Sequence, residues 1–164
     1  GHTVISSGIT AAPEIMAHSR AETDAFVYIS ASHNPIGHNG FKFGLNNGGV
    51  IDAALAKKLI SSFLKLINEI DQKRTNTLLS TPHPREGEIY TQQPSVKEQG
   101  LRCYRELSEE IVTGIKDPEK RFQILNHFKI SFAASPVGVI AELNGSARSL
   151  SLDKDFLEYL GIKV

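Results

Sequence analysis

The sequence predicts an α/β fold: a three-layer α/β/α domain with a mixed sheet, followed by the start of a second, similar unit. Two observations carry this. Short apolar runs that suit strands alternate with longer segments whose apolar residues recur at helical spacing, and the alternation starts afresh near residue 129. Hydrophobic residues make up 40% of the 164, enough for one sizeable core.

The elements follow in order. Val4 to Gly8 (VISSG) is short, partly β-branched and closed by glycine, which reads as a strand; Pro13 then suits the first turn of a helix through Ile15, Met16 and Ala17. Phe26-Val27-Tyr28-Ile29 is too short for a helix and reads as a strand buried on both faces. A loop from Ser30 to Asn39 follows. Phe41 and Phe43 alternate with Lys42 and lead through Asn46-Asn47-Gly48-Gly49 to Val50-Ile51, a short hairpin.

Asp52 is a plausible N-cap for the strongest helical pattern in the chain, Leu55, Leu59, Ile60, Phe63, Leu66, Ile67 and Ile70. From Asp71 to Pro94 the chain turns polar, with Thr75, Thr77, Ser80, Pro82, Pro84 and Gly87, and reads as an irregular surface connection. Helical spacing resumes at Val96, Leu101, Tyr104, Leu107 and Ile111, and a short helix with Phe122 and Leu125 on one face begins after Pro118. Lys129 to Ala134 reads as a new strand, Asp153 to Leu160 as a helix stopped by Gly161, and Ile162 to Val164 as the opening of a further strand.

Composition excludes little but directs expectation. Eighteen basic and eighteen acidic residues cancel, so no overall charge calls for nucleic acid or an anionic membrane. The lone cysteine, Cys103, cannot form an internal disulfide and fits a reducing, cytoplasmic setting. No apolar run approaches the roughly 20 residues of a membrane span. Gly1-His2-Thr3 has neither an initiator methionine nor the look of a signal peptide, so Gly1 reads as a cloning or cleavage boundary.

The stretch that carries chemistry is SASHNPIGHNGFKF, Ser30 to Phe43, which places a hydroxyl, an imidazole and an amine directly after a strand. Ser32 follows the small Ala31 and precedes His33. Pro35 holds Asn34 extended, and Gly40 lets the backbone return so that Lys42 comes back along the same face. A serine hydroxyl needs a proton acceptor or a metal to become nucleophilic, and phosphoryl transfer also needs cationic neutralisation of the moving group. His33 and Lys42 are the candidates for those supports. The loop has no carboxylate to hold a metal.

SASHNP followed by NGFK resembles the active-serine signature of the α-D-phosphohexomutase superfamily, the phosphoglucomutases and phosphomannomutases. The family's first position is commonly threonine; here it is Ser30. The resemblance implies that Ser32 is carried as a phosphoserine whose phosphoryl oxygen helps bind Mg2+, and that His33 and Lys42 position groups or transfer protons. Asn34, Pro35, Asn39 and Gly40 match as scaffold.

The likeness is dense from Ile9 to Leu64, loose through the polar connection and recognisable again from Lys129. It implies a four-domain enzyme with its site in the central cleft, of which residues 1–127 would be an N-terminally truncated domain I, with connecting helices from about residue 95, and 128–164 the incomplete opening of domain II. The remaining Mg2+ ligands, the sugar-recognition loop and an upstream arginine loop would lie outside the chain. The implied substrate is a hexose phosphate, with a sugar bisphosphate as activator. The same resemblance implies an inactive isolated fragment, and an unfinished second unit predicts self-association through its exposed edge.

Other readings stand beside this one. A non-catalytic phosphosugar-binding or regulatory module could use the same loop, with Ser32 phosphorylation as a charge switch. A serine hydrolase would need a GxSxG elbow, which is absent. His38 reads as a solvated loop residue and Ser30 as a strand end. His2, His18, His83 and His127 have no spacing suggesting a metal site. Asp153 and Asp155 read as helix-start carboxylates, and Asn144 to Arg148 (NGSAR) as a plain loop, with a phosphate cradle as its alternative.

Overall fold

The computed structural model describes residues 2–31, 34–35, 37–70, 72–81 and 86–164. It is α/β, as expected. Helix α1 spans Ala12–Glu22, strand β1 Ala25–Ile29, strand β2 Phe41–Leu45 and helix α2 Ala53–Glu69. Helices α3 (Gln72–Ser80), α4 (Glu86–Thr113) and α5 (Pro118–Ala134) follow; a 3-10 turn at Ala147–Leu150 then precedes α6 (Asp153–Tyr159).

Val4 to Gly8 is not a strand. The Ser6 hydroxyl accepts from the Gly8 N–H and from Gln93 Nε2, so a side chain takes the hydrogen bonding that a ladder would supply. Helix α1 starts as expected, with Pro13 in its first turn, where a missing N–H costs nothing.

Strands β1 and β2 pair antiparallel, with Phe26 opposite Gly44 and Tyr28 opposite Lys42. The Phe26 face is closed by α1: the Ser19 hydroxyl donates to the Leu45 carbonyl and the Tyr28 hydroxyl to the Thr10 carbonyl. The opposite face is open, and Val27 and Ile29 are 53% and 58% exposed. The expectation of burial on both faces therefore fails: a two-stranded ribbon with a helix on one side can bury only alternate residues. The expected hairpin after β2 is present, turned by Gly48 at φ +77° and closed by the Ile51 N–H on the Phe43 carbonyl.

Asp52 caps α2, accepting the Leu55 N–H at 2.8 Å. The apolar pattern of α2 is strong, yet none of its residues is buried. The polar tract expected to be irregular is largely helical, in α3 and the first turns of α4. Pro82 and Pro84 lie outside the described residues, and Pro94 sits within α4, where it removes only the bond to the Tyr90 carbonyl.

Lys129 to Ala134 is the end of α5, not a strand. The relevant period is helical: Leu125, Phe128 and Phe132 share one face and pack with Leu152, Phe156 and Leu160, against Leu101 and Tyr104 of α4. Helix α5 starts at Pro118 with Asp117 accepting the N–H groups of Glu119 and Lys120, and residues 127 and 128 fall inside it. Helix α6 ends as expected, with Gly161 at φ +91°. Beyond it Lys163 forms a single parallel bridge with Gly138, its N–H on the Val137 carbonyl and its carbonyl taking the Val139 N–H.

Candidate active site

The loop between β1 and β2 is tied at its base. The Ser30 N–H donates to the Gly40 carbonyl at 2.9 Å, one step beyond the ladder, so the two ends of the loop leave the ribbon side by side. Two further turns shape it: Asn34 N–H on the Ala31 carbonyl at 3.0 Å, and His38 N–H on the Pro35 carbonyl at 3.2 Å. Gly37, at φ +95°, takes a conformation that a side chain would strain. Ser32 and His33 lie outside the described residues.

Lys42 is described. It is half-buried on β2, opposite Tyr28, with Nζ 5.9 Å from the centre of the Tyr28 ring. That is the outer limit of a cation–π contact, and the ring is itself anchored through its hydroxyl to Thr10. The register therefore delivers Lys42 to the α1 face of the ribbon, two residues from the loop's closed base. His38 is exposed, as expected of a solvated loop residue.

The described residues do not fit a metal ion. No group of three or more His, Cys, Asp or Glu among them is arranged to hold one, and the loop's own sequence offers no carboxylate. Asp153 and Asp155 occupy the first turn of α6. Asp153 is engaged by the Arg148 guanidinium and by the Tyr104 hydroxyl, at 3.3 Å in the latter case. The NGSAR segment thus spends its arginine on an ion pair within the chain: the hydrogen bond to Asp153 raises the Arg148 pKa, while burial and then the Asp153 charge push the Tyr104 hydroxyl up.

Residues 1–69 match the family model for phosphoglucomutase/phosphomannomutase, alpha/beta/alpha domain I. The matched segment is similar to the N-terminal domain of the α-D-phosphohexomutase superfamily. The matched stretch runs through α1, the ribbon and the whole Ser30–Phe43 loop, and ends on the last residue of α2. No curated protein and no solved structure matches the chain.

Some polar residues in the matched segment had no signal in the sequence for the contacts they make. Glu14, 1% exposed, binds Lys97 from α4 and Ser151 from the segment before α6. The acid three residues after Ala11 could have suggested a helix-capping carboxylate, and it does reach the Ala11 N–H, at 3.5 Å. Nothing in the sequence pairs it with residues 83 and 137 positions away. His18, also buried, has no hydrogen-bond partner for Nε2 among the described residues, and burial lowers its pKa.

Proposed function

We propose that the protein takes part in phosphohexomutase catalysis, with Ser32 as the phosphoryl carrier. The observation that carries this reading is that the domain I match encloses the complete serine loop. Phosphorylated Ser32 donates its phosphoryl group to a free hydroxyl of a hexose monophosphate: the Oγ–P bond breaks, a sugar O–P bond forms, the sugar hydroxyl loses its proton to the enzyme, and the leaving Ser32 Oγ takes up a proton in turn. The bisphosphate then reorients and returns its other phosphoryl group to Ser32, so that phosphate moves between C1 and C6.

In this scheme Lys42, two residues from the loop's closed base, offsets negative charge on the moving group, and His33 serves in positioning or proton transfer. The family is generally magnesium-dependent. A divalent ion would add charge neutralisation at the phosphoserine, but the described residues make no site for it. A hexose phosphate is the substrate class, a sugar bisphosphate the activator, and the cytoplasm the setting.

The division into a first unit over 1–127 and the opening of a second over 128–164 belongs to the same proposal, with α5 crossing the line. So does self-association, for which the exposed apolar face of α2 offers surface.

Turnover of glucose 1-phosphate with a bisphosphate activator, by the complete protein and its Ser32→Ala variant, tests the assignment. Loss of turnover in the variant supports it. Unchanged turnover defeats it.

A further inference from the structure

The helix beneath the ribbon and the C-terminal segment meet at one buried carboxylate. Glu14 stands in the first turn of α1. Its two oxygens accept from Lys97 Nζ at 2.6 and 2.7 Å, and Oε2 also accepts from the Ser151 hydroxyl at 3.1 Å. A helix-capping carboxylate needs only nearby N–H groups. Here the lysine comes from the middle of α4 and the serine from the turn that leads into α6.

The same helix supports the candidate loop. Thr10, immediately before α1, receives the Tyr28 hydroxyl, and Ser19 within it holds the Leu45 carbonyl, so α1 and the ribbon form one hydrogen-bonded body. On the other side, Ser151 follows the 3-10 turn, and its neighbour Leu152 enters the core with Leu125, Phe156 and Leu160. Position is thus passed from the ribbon through α1 and Glu14 to the base of α6.

We propose that Glu14 is the polar tie-point that, beside the core of Leu125, Leu152, Phe156 and Leu160, sets the C-terminal segment, residues 147–164, against α1 and the body carrying the serine loop, and that the Ser151 hydroxyl is its releasable arm. Lys97 satisfies the charge whether or not Ser151 is engaged, so α1 and α4 stay joined when the serine lets go. The segment's apolar residues are held by the core with Leu125, so the neutral hydroxyl on the carboxylate is the weaker tie and the one that opens within the native state.

Residue-resolved hydrogen exchange on the full chain tests it. In Ser151→Ala, the amides of Phe156, Leu160 and Lys163 are expected to exchange about tenfold faster, while those of α1 and the ribbon keep the parent rates. Ser151→Thr retains the hydroxyl and should keep parent rates throughout. Unchanged exchange in α6 of Ser151→Ala would overturn the proposal, as would acceleration spread equally over α1, the ribbon and α6, or the same acceleration in Ser151→Thr.

Discussion

Lys42 and Tyr28 stand opposite one another across the β1–β2 ribbon, with the lysine Nζ 5.9 Å from the ring centre and the tyrosine hydroxyl bound to the Thr10 carbonyl. The cation therefore rests beside a ring whose own position is set by the start of α1. Lys42→Met in the complete protein should lower turnover by about a hundredfold or more, the scale on which a charge-stabilising group acts in a transition state. Tyr28→Phe keeps the ring and should stay within a few-fold of the parent, whereas Tyr28→Leu should fall between the two. Steady-state kcat and KM with a hexose 1-phosphate read all three.

Gly44 faces Phe26 across the same ribbon. A Cβ at Gly44 would lie 2.0 Å from the Phe26 ring and 2.8 Å from the Gly49 carbonyl oxygen, so ring and hairpin would both have to move. Gly44→Ala should destabilise the protein by about 1–3 kcal/mol, as overpacking of a closed site does. The paired variant Gly44→Ala/Phe26→Leu should recover part of that loss. Urea denaturation midpoints measure both.

Lys97→Met leaves the Glu14 carboxylate buried without its counter-charge. Breaking a buried pair in this way costs about 3–5 kcal/mol, and the partial exposure of Lys97 places the expected loss toward the lower end. Glu14→Gln/Lys97→Met, which removes both charges, should be more stable than Lys97→Met alone. Thermal unfolding of the three variants gives the comparison.

His18 supplies a pH dependence with a definite sign. Burial lowers its pKa from the ordinary 6.5, against the smaller opposing pull of Glu22 and Glu14. The folded protein therefore binds fewer protons at this site than the unfolded chain. Its contribution to stability is complete above pH 6.5 and is lost as the pH falls from there through the depressed folded value. Urea midpoints at pH 7.5 and 5.5 should differ more for the parent than for His18→Gln.

Local signals proved readable where a residue's role depends on its neighbours in sequence. Asp52 as a cap, Pro118 as a helix start, Gly161 as a stop and the Asn46–Gly49 turn all follow from backbone chemistry within a few residues. The likeness to domain I was legible for the same reason, from one contiguous motif, and the match over residues 1–69 agrees with it. Val4 to Gly8 shows the limit: β-branched residues favour a strand, but among the described residues no partner strand comes beside them. At Lys129 to Ala134 the short apolar run suited either period, and packing of Phe128 and Phe132 on α6 decided for helix. Glu14, Lys97 and Ser151 were invisible because they converge only through the tertiary fold.

The central claim is that Ser32 carries the phosphoryl group. The most direct measurement incubates the complete protein with a hexose 1,6-bisphosphate labelled in phosphorus, in the presence of Mg2+, and locates the label by peptide mass spectrometry. The account predicts label on Ser32, exchangeable into added hexose monophosphate and absent from Ser32→Ala. Label on another residue, or none on Ser32 in a protein that turns over substrate, would contradict it.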